Sequence, residues 1–252
     1  MQPRARHALD EVREQIRMLE AGRGPRHGHL PFGIEAIDAR LPGGGLALGA
    51  LHEIAGGGNG ALDGAAAALF AAGILARTSG QVLWCLARRD LFAPALAQLG
   101  LHPDKVIYAD VGDEKTVLAC FEEGLRHGGL GGVVGEVAKL PMAASRRLQL
   151  AAEASGTLAI AIRRWRRSAE AYDFGQPTAS ATRWRISALP SAALPVPGIG
   201  RPRWLVELIR ARAGGCAEFM VEACDETGRL AVPADLAYGP AAAIQGSRRA
   251  AA

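Results

Sequence analysis

The sequence predicts an α/β protein in which a mostly parallel central sheet is extended by antiparallel strands. Two observations carry this prediction. Between residues 50 and 165, short continuous apolar runs alternate with helix-like segments, which is typical of parallel strands covered by helices on both faces. After residue 180, three strand-like segments follow one another with only turns between them, which favours antiparallel pairing beside that sheet.

Apolar periodicity and turn residues predict the individual elements. A helix-like start and the glycine turn at residues 43–45 lead into a strand ending near Ile54, and a long alanine-rich helix follows over residues 63–77. Further strands are predicted at residues 81–87, 104–111, 130–136, 157–165, 182–189, 203–215 and 217–224, and further helices at 90–100, 114–128 and 145–156. Residues 166–181 are polar with glycine and proline, which predicts a loop.

The chain is predicted to have three parts. Residues 1–29 form an N-terminal unit, in which residues 6–20 are an amphipathic helix with a narrow apolar stripe and the rest is a linker. Residues 30–238 form the core, and residues 239–252 are a disordered tail. The stripe of the N-terminal helix either docks on another chain or packs on its own domain; its residues are Leu9, Val12, Ile16 and Leu19.

Composition indicates a soluble, cytoplasmic protein. The chain has 252 residues, 49% hydrophobic and 21% charged, with a formal net charge of +4 that permits contact with nucleic acid or an acidic partner. Its longest apolar run, residues 64–76, is shorter than the roughly 20 residues that span a bilayer, and its first residues lack the apolar core of a signal peptide. The spacing of Cys85, Cys120, Cys216 and Cys224 indicates buried thiols and no zinc site. We expect neither a metal nor a cofactor.

A glycine-rich turn between the strand ending near Ile54 and the long helix resembles a phosphate-binding loop without its chemistry. Such a loop needs a Lys and then a Ser or Thr at the helix start, for the outer phosphates and for magnesium. Here those places hold Leu62 and Asp63, and residues 1–104 contain no lysine. Backbone amides at the helix start could still attract an anion, but we favour the interpretation that the glycines form a flexible strand-to-helix turn. These glycines are Gly56, Gly57, Gly58 and Gly60.

Several segments, taken in order, resemble the core of RecA-like recombinases. GIEAIDARLPGGGLALGALHEIAG is similar to the segment that leads into the recombinase nucleotide loop. The stretch from RRDLFAPALAQLG to VVGEVAKL follows the recombinase central region almost without gaps, and RWLVELIRARAGGCAEFMVE resembles its last core strands. The resemblance covers about residues 30–235 and implies a RecA-like P-loop-type core.

Within that superfamily the chain is identified as a member of the inducible-mutagenesis protein A (ImuA) family, a degenerate RecA-like branch. LPGGGLALGALHE, VVGEV, RRLQLAAEASGTLAIAIRRWR, SATRWRI and PRWLVELIRARAGG carry this resemblance. It implies a non-catalytic accessory role in the SOS response, in which damage induces error-prone translesion synthesis. It also implies three partners: a RecA-type recombinase, an ImuB-like Y-family polymerase homologue and an error-prone C-family polymerase. Self-association stays open.

The recombinase pattern is interrupted at every catalytic position. Besides the absent Lys-Thr pair, the catalytic glutamate corresponds to Arg88, and the aspartate that positions magnesium corresponds to Gly135, with Glu136 beside it. Arg163 stands at the polar sensor. Because phosphoryl transfer depends on these groups, we expect that the protein does not hydrolyse ATP. The alternatives are a divergent DNA-dependent ATPase and a division inhibitor of the same degenerate fold, although the N-terminal helix and the polar loop favour the mutagenesis branch.

Arginines with neighbouring tryptophans flank the polar loop at residues 166–181. Arginine beside an aromatic ring suits contact with phosphate and stacking on bases, so this region is the candidate for DNA contact. The alternative is that the arginines pair with nearby carboxylates and that the tryptophans are half-buried. The candidate residues are Arg163, Arg164, Trp165, Arg166, Arg167, Arg183 and Arg185.

Overall fold

The computed structural model describes residues 27–58, 60–165, 171, 174–192, 194 and 196–233. Its strands are β1 (His29–Leu30), β2 (Leu46–Ala47), β3 (Leu51–Gly56), β4 (Val82–Leu86), β5 (Val106–Asp110), β6 (Gly132–Val137), β7 (Leu158–Arg163), β8 (Thr182–Leu189), β9 (Arg203–Ala211) and β10 (Ala217–Glu222). Its helices are α1 (Glu35–Asp38), α2 (Gly60–Ala76), α3 (Ala93–Ala97), α4 (Glu114–His127) and α5 (Met142–Ser155).

Eight strands form one sheet in the order β10-β9-β8-β3-β7-β6-β4-β5. The six strands from β8 to β5 in that order run parallel to their neighbours. The remaining two, β9 and β10, pair antiparallel beside β8. This arrangement confirms the predicted α/β class, with a mostly parallel sheet and antiparallel strands added at one side. The two-residue strands β1 and β2 pair separately.

Helices cover both faces of the parallel region because its strands are apolar on both sides. The alanine-rich α2 and the short α3 pack on one face, where Phe70 lies against Trp184 and Trp204. The opposite face is covered by α4 and α5. Helix α4 begins where the Asp113 carboxylate accepts the N–H groups of residues 115 and 116 at 3.0 Å, and it ends at the left-handed Gly128.

Lys105 closes the C-terminal end of α2. Its ammonium donates to the carbonyl of Leu75 at 3.0 Å, to that of Ala76 at 2.9 Å, and to that of Thr78. These carbonyls lie at the negative end of the helix dipole, where a cation is stabilising. Burial lowers the pKa of Lys105. A single side chain therefore joins the start of β5 to the end of the central helix.

The structure departs from the sequence predictions at a few points. Helix α3 is only five residues long, because the chain is extended at Phe92 and turns through a left-handed Gly100. The thiols of Cys85 and Cys224 are buried, and burial raises the pKa of each to about 12. The prediction of a buried thiol is wrong for Cys216, which is exposed.

Some predictions fall wholly or partly beyond the ranges that the structure describes. The apolar stripe of residues 6–20 and the tail from residue 239 lie outside them, and the three-part division of the chain stays a prediction. At the start of the described chain, the ring of His27 lies within hydrogen-bond distance of the Glu153 carbonyl, at 2.8 Å. No helix among the described residues is long and apolar enough to cross a membrane. The same residues contain no cluster of side chains suited to hold a metal ion.

Candidate functional site

The C-terminal ends of the six parallel strands lie along one edge of the sheet, here called the carboxyl edge. Open α/β sheets bind their ligands at this edge. The structure places the glycine-rich turn there, after β3, and Arg88 just after β4. It also places Glu136 near the end of β6 and Arg163 at the end of β7. The positions that the sequence singled out for a lost ATPase site are therefore brought to one edge.

The glycine-rich turn is packed against β8. The Gly57 N–H donates to the Ile186 carbonyl at 2.8 Å, and a side chain on Gly57 would begin 1.8 Å from the hydroxyl oxygen of Ser187. Asp63, in the first turn of α2, is only 4% exposed, and its Oδ1 accepts the Ala188 N–H at 2.9 Å. A carboxylate of the protein itself thus lies at the helix start, where a phosphate loop would receive the anion.

The space for a side chain at residue 135 is already filled. A Cβ on Gly135 would lie 2.4 Å from the ring of Phe121, which reaches β6 from α4. Both residues are fully buried in the core between α4 and the sheet. An aspartate cannot stand at this position without moving Phe121, so the packing matches the absence of the magnesium-positioning residue.

Glu136 is held by two donors and is only 6% exposed. The indole N–H of Trp84 donates to its Oε1 at 2.8 Å, and Arg164 Nη1 donates to its Oε2 at 2.8 Å. Arg164 also forms a bidentate pair with Asp90, at 3.0 and 2.9 Å. Burial opposes the charge of Arg164, but the two carboxylates outweigh it and raise the pKa of Arg164.

A shallow depression lies over this cluster at the carboxyl edge. The exposed Arg88 stands at its rim. Trp84 and Arg164 each donate to one oxygen of Glu136, which fixes the orientation of that carboxylate at the depression. The depression is lined by Ala87, Arg88, Asp90, Glu114, Glu136, Val137, Ala138 and Arg164.

Glu53, in the centre of β3, organises a second and fully buried polar cluster. Its Oε2 accepts from Arg163 Nη1 at 2.7 Å, and its Oε1 accepts from Arg183 Nη2 at 3.1 Å. The hydroxyls of Thr178 and Ser180 also donate to Oε1, the latter at 2.8 Å. Residues 174–181, here called the crossing segment, are thereby fixed on the strand.

Arg183 strengthens this attachment. It donates to the carbonyls of Phe174 and Gln176 at 2.6 and 2.9 Å, and its guanidinium lies over the Phe174 ring, 5.0 Å from the centroid. Charge-assisted hydrogen bonds of this kind are about twice as strong as neutral ones. The end of the predicted loop before β8 is therefore a fixed part of the sheet's surface.

These contacts correct the predicted DNA surface at two arginines. Arg163 is 1% exposed and Arg183 5% exposed, and both are paired with Glu53, so neither reaches a phosphate from inside the fold. Arg164 is paired with Asp90 and Glu136, and Arg185 lies 3.4 Å from Glu207. The pairing of arginines with local carboxylates, weighed as the alternative, is the arrangement found.

The aromatic members of the same prediction do not offer a stacking surface. Trp165 is half-buried, donates to the Ala138 carbonyl at 3.0 Å and meets Phe174 edge to face. Trp184 is fully buried. Arg166 and Arg167 lie outside the described residues.

The central polar residues of the site were missed from the sequence, although one signal was available. His52 and Glu53 are adjacent ionisable residues inside a strand that is otherwise apolar and buried. The His52 ring lies 2.7 Å from the Thr182 hydroxyl and 2.9 Å from the Ala47 carbonyl, and burial lowers its pKa to about 4 despite the opposing backbone hydrogen bond. A charge in a fully covered strand requires buried partners, and that requirement was the readable signal.

Known proteins resemble this chain in sequence and in fold. No protein-family model matches the chain. It is 38% identical over 215 residues to Protein ImuA of Caulobacter vibrioides, in two strains; the match covers 81% of this chain and 87% of the relative. A crystal structure of the RadB recombinase superposes with a TM-score of 0.54 at 16% identity, covering 81% of this chain and 99% of that one. At that identity the likeness concerns the fold, which is RecA-like.

Proposed function

This chain belongs to the ImuA family, and from that premise we propose that it is a non-catalytic scaffold of damage-induced, error-prone translesion synthesis. In this role it engages a RecA-type recombinase, an ImuB-like Y-family polymerase homologue and an error-prone C-family polymerase. The fold supports the proposal because it keeps the frame of a recombinase core. Its chemistry supports the proposal because the catalytic positions of that frame hold unsuitable residues.

The buried Asp63 carboxylate is the observation that carries the non-catalytic part. It lies in the first turn of α2, bonded to the Ala188 N–H, where a nucleotide would need its phosphates accepted. A triphosphate would meet a like charge in a low-dielectric position, without the lysine and hydroxyl that stabilise phosphoryl transfer. The Phe121 ring against Gly135 and the donors on Glu136 add support at two separate positions.

An exposed sheet edge supports the scaffolding part. Strand β5 pairs only with β4, which leaves its outer backbone groups unpaired within the described chain. Two large apolar side chains lie on it, Ile107 at 51% and Tyr108 at 38% exposure. Edge strands commonly carry charges, proline or a cover that prevents pairing. Strand β5 has one charge, Asp110 at its end, whereas the exposed residues in its middle are apolar. We infer that a partner strand pairs with this edge.

Co-purification with the recombinase and the polymerase-like partner tests the scaffold. The full chain is compared with a deletion of residues 1–26 and with Ile107→Asp. Leu150→Asp is the matched control, since Leu150 is 64% exposed on α5, away from the edge. We expect Ile107→Asp to lower recovery of a partner and Leu150→Asp to leave it unchanged. Recovery of neither partner by the full chain would contradict the scaffold itself.

A DNA-stimulated ATPase assay on the purified full chain tests the non-catalytic part. We expect no turnover above background with single-stranded or duplex DNA. Turnover that disappears in Arg88→Ala or Glu136→Gln would establish a divergent ATPase instead. Turnover that persists in both variants would point to a contaminating enzyme, which a further purification step removes.

A further inference from the structure

A β-bulge in β9 turns Arg210 toward the crossing segment. Arg183 pairs with Arg210, whereas the next residue of β8 pairs with Leu208, so Ile209 is an extra residue in β9. Before the bulge, Leu208 and its alternate neighbours point into the core beneath α2. Beyond it the alternation is reversed, so Arg210 shares the side of Arg183. Arg212, in the turn after β9, reaches the same crossing segment. A bulge that re-aims a cation is a specific feature of this strand.

The two arginines lie on the outer surface of the crossing segment. Arg210 Nη1 donates to the Thr178 carbonyl at 3.0 Å, and Arg212 Nη2 donates to the Ala179 carbonyl at 3.1 Å. Both side chains are nevertheless exposed. Because a guanidinium has five N–H donors, one bond to a carbonyl orients its plane and leaves further donors facing solvent. Because the two guanidiniums bond to consecutive carbonyls of the crossing segment, the two charges stand side by side.

A third arginine joins them from a distant part of the chain. The turn after Arg212 closes over Arg40: a side chain on Gly214 would begin 2.6 Å from the Arg40 carbonyl oxygen, and one on Gly215 would begin 3.7 Å from Arg40 Nη1. Arg40 is exposed. Across the described ranges, none of these three arginines forms an ion pair with a carboxylate.

We propose that Arg40, Arg210 and Arg212 form a surface that contacts the phosphate backbone of a nucleic acid strand. The surface lies at the amino edge of the sheet, since Ala211 pairs with Thr182, the first residue of β8. It therefore lies at the opposite edge of the sheet from the glycine-rich turn, which follows the C-terminal end of β3. The inference does not depend on the scaffold role, which involves other surfaces.

The surroundings favour phosphate over an acidic protein segment. Protein interfaces take most of their affinity from buried aromatic and aliphatic anchors. The turn after Arg212 consists of Ala213, Gly214 and Gly215, and Ala213 has a left-handed backbone with φ of 57°. The exposed ring of Pro42 lies beside Gly214, and it is small for an interface anchor. Small residues let a backbone approach closely, and the arginine fork matches phosphate oxygens in a bidentate manner. Charge and exposed donors are sufficient for phosphate contact.

Fluorescence anisotropy with labelled single-stranded and duplex DNA, measured over a salt series, tests the proposal. The full chain is compared with Arg40→Gln, with the triple variant Arg40→Gln, Arg210→Gln and Arg212→Gln, and with Arg146→Gln, an exposed arginine of α5. We expect the triple variant to bind at least about tenfold more weakly at low salt. Its slope of log affinity against log salt should fall by about 2 for single strands and about 3 for duplex.

Two single variants distinguish phosphate contact from a purely structural role of these arginines. Arg40→Gln removes no hydrogen bond within the described chain, so it should lower the slope by about 1 without loss of folding stability, which a structural role alone would not do. Arg146→Gln should leave binding unchanged. An unchanged slope in the triple variant, an equal loss in Arg146→Gln, or no DNA binding by the full chain would overturn the proposal. Tighter binding of labelled polyglutamate than of DNA would overturn it in favour of an acidic polypeptide.

Discussion

Arg163 and Glu53 lie 110 residues apart in sequence and form an ion pair of 2.7 Å in which neither side chain is exposed. The pair joins β7 to β3 across adjacent parallel strands, with Ala161 in register with Glu53. Arg183 reaches the same carboxylate from β8, so one acid links three neighbouring strands. Charges at this depth are stable only while each keeps its partner.

Removal of the acid should therefore be costly. Glu53→Gln keeps the shape of the side chain but leaves two buried guanidiniums without their carboxylate, and we expect a loss of about 3–5 kcal/mol in the free energy of unfolding. Denaturant unfolding measures it. Glu207→Gln is the control, because its ion pair with Arg185 is 3.4 Å long and partly exposed, and it should cost less than about 1 kcal/mol. Equal losses in the two variants would contradict the role of Glu53.

Acidification should destabilise the fold through His52. Burial lowers the folded-state pKa of His52 to about 4, below its ordinary value of 6.5, so the folded protein favours the neutral ring. The stability that this provides is complete above pH 6.5 and declines as the pH falls toward 4, by about 3 kcal/mol in all. Unfolding curves between pH 7 and 4 measure it, and His52→Gln should flatten this part of the pH dependence. If the free energy of unfolding of His52→Gln changes with pH as steeply as that of the parent, groups other than His52 cause the pH dependence.

Placing an aspartate at residue 135 should destabilise the protein. The Phe121 ring occupies the place of the new side chain, so Gly135→Asp should lower stability by at least about 3 kcal/mol, through overpacking and a buried charge. Thermal unfolding measures this. Gly175→Asp is the control, since no atom lies within 4 Å of a Cβ there. In a double-mutant cycle, Phe121→Ala should cost less in the Gly135→Asp background than in the parent if the clash is the cause.

The role of Asp63 can be separated into charge and hydrogen bonding. Asp63→Ala leaves the Ala188 N–H without its acceptor, and we expect a loss of about 1–3 kcal/mol. Asp63→Asn keeps an acceptor oxygen and should cost less. Leu62→Ala, at a side chain that is 57% exposed, should be within about 0.5 kcal/mol of the parent. If Asp63→Ala is as stable as Leu62→Ala, the contact does not hold the turn.

The sequence predicted the fold well because its strands and helices follow clear periodicities. The segment predicted at residues 182–189 matches β8 in full, and the alternating order of the parallel region was correct. The site was harder to predict because its partners are distant in sequence. Arginines beside tryptophans indicate nucleic acid contact when only the sequence is considered, but in the fold Arg163 and Arg183 pair with the distant Glu53. No residue pattern near Ile209 predicts the β-bulge there. Likewise, the sequence does not explain why residue 135 is glycine, because the reason is the packing of the distant Phe121 ring against it.

The attachment of Lys105 to the carbonyls at the end of α2 determines how binding surfaces on this protein can be mapped. The chain has only two other lysines, Lys115 and Lys139; both are exposed, and both follow strand ends at the carboxyl edge. Amine-reactive cross-linkers attached at these two exposed lysines will thus report partners near that edge. Reagents that attack carboxylates or insert photochemically are required to see the rest of the surface.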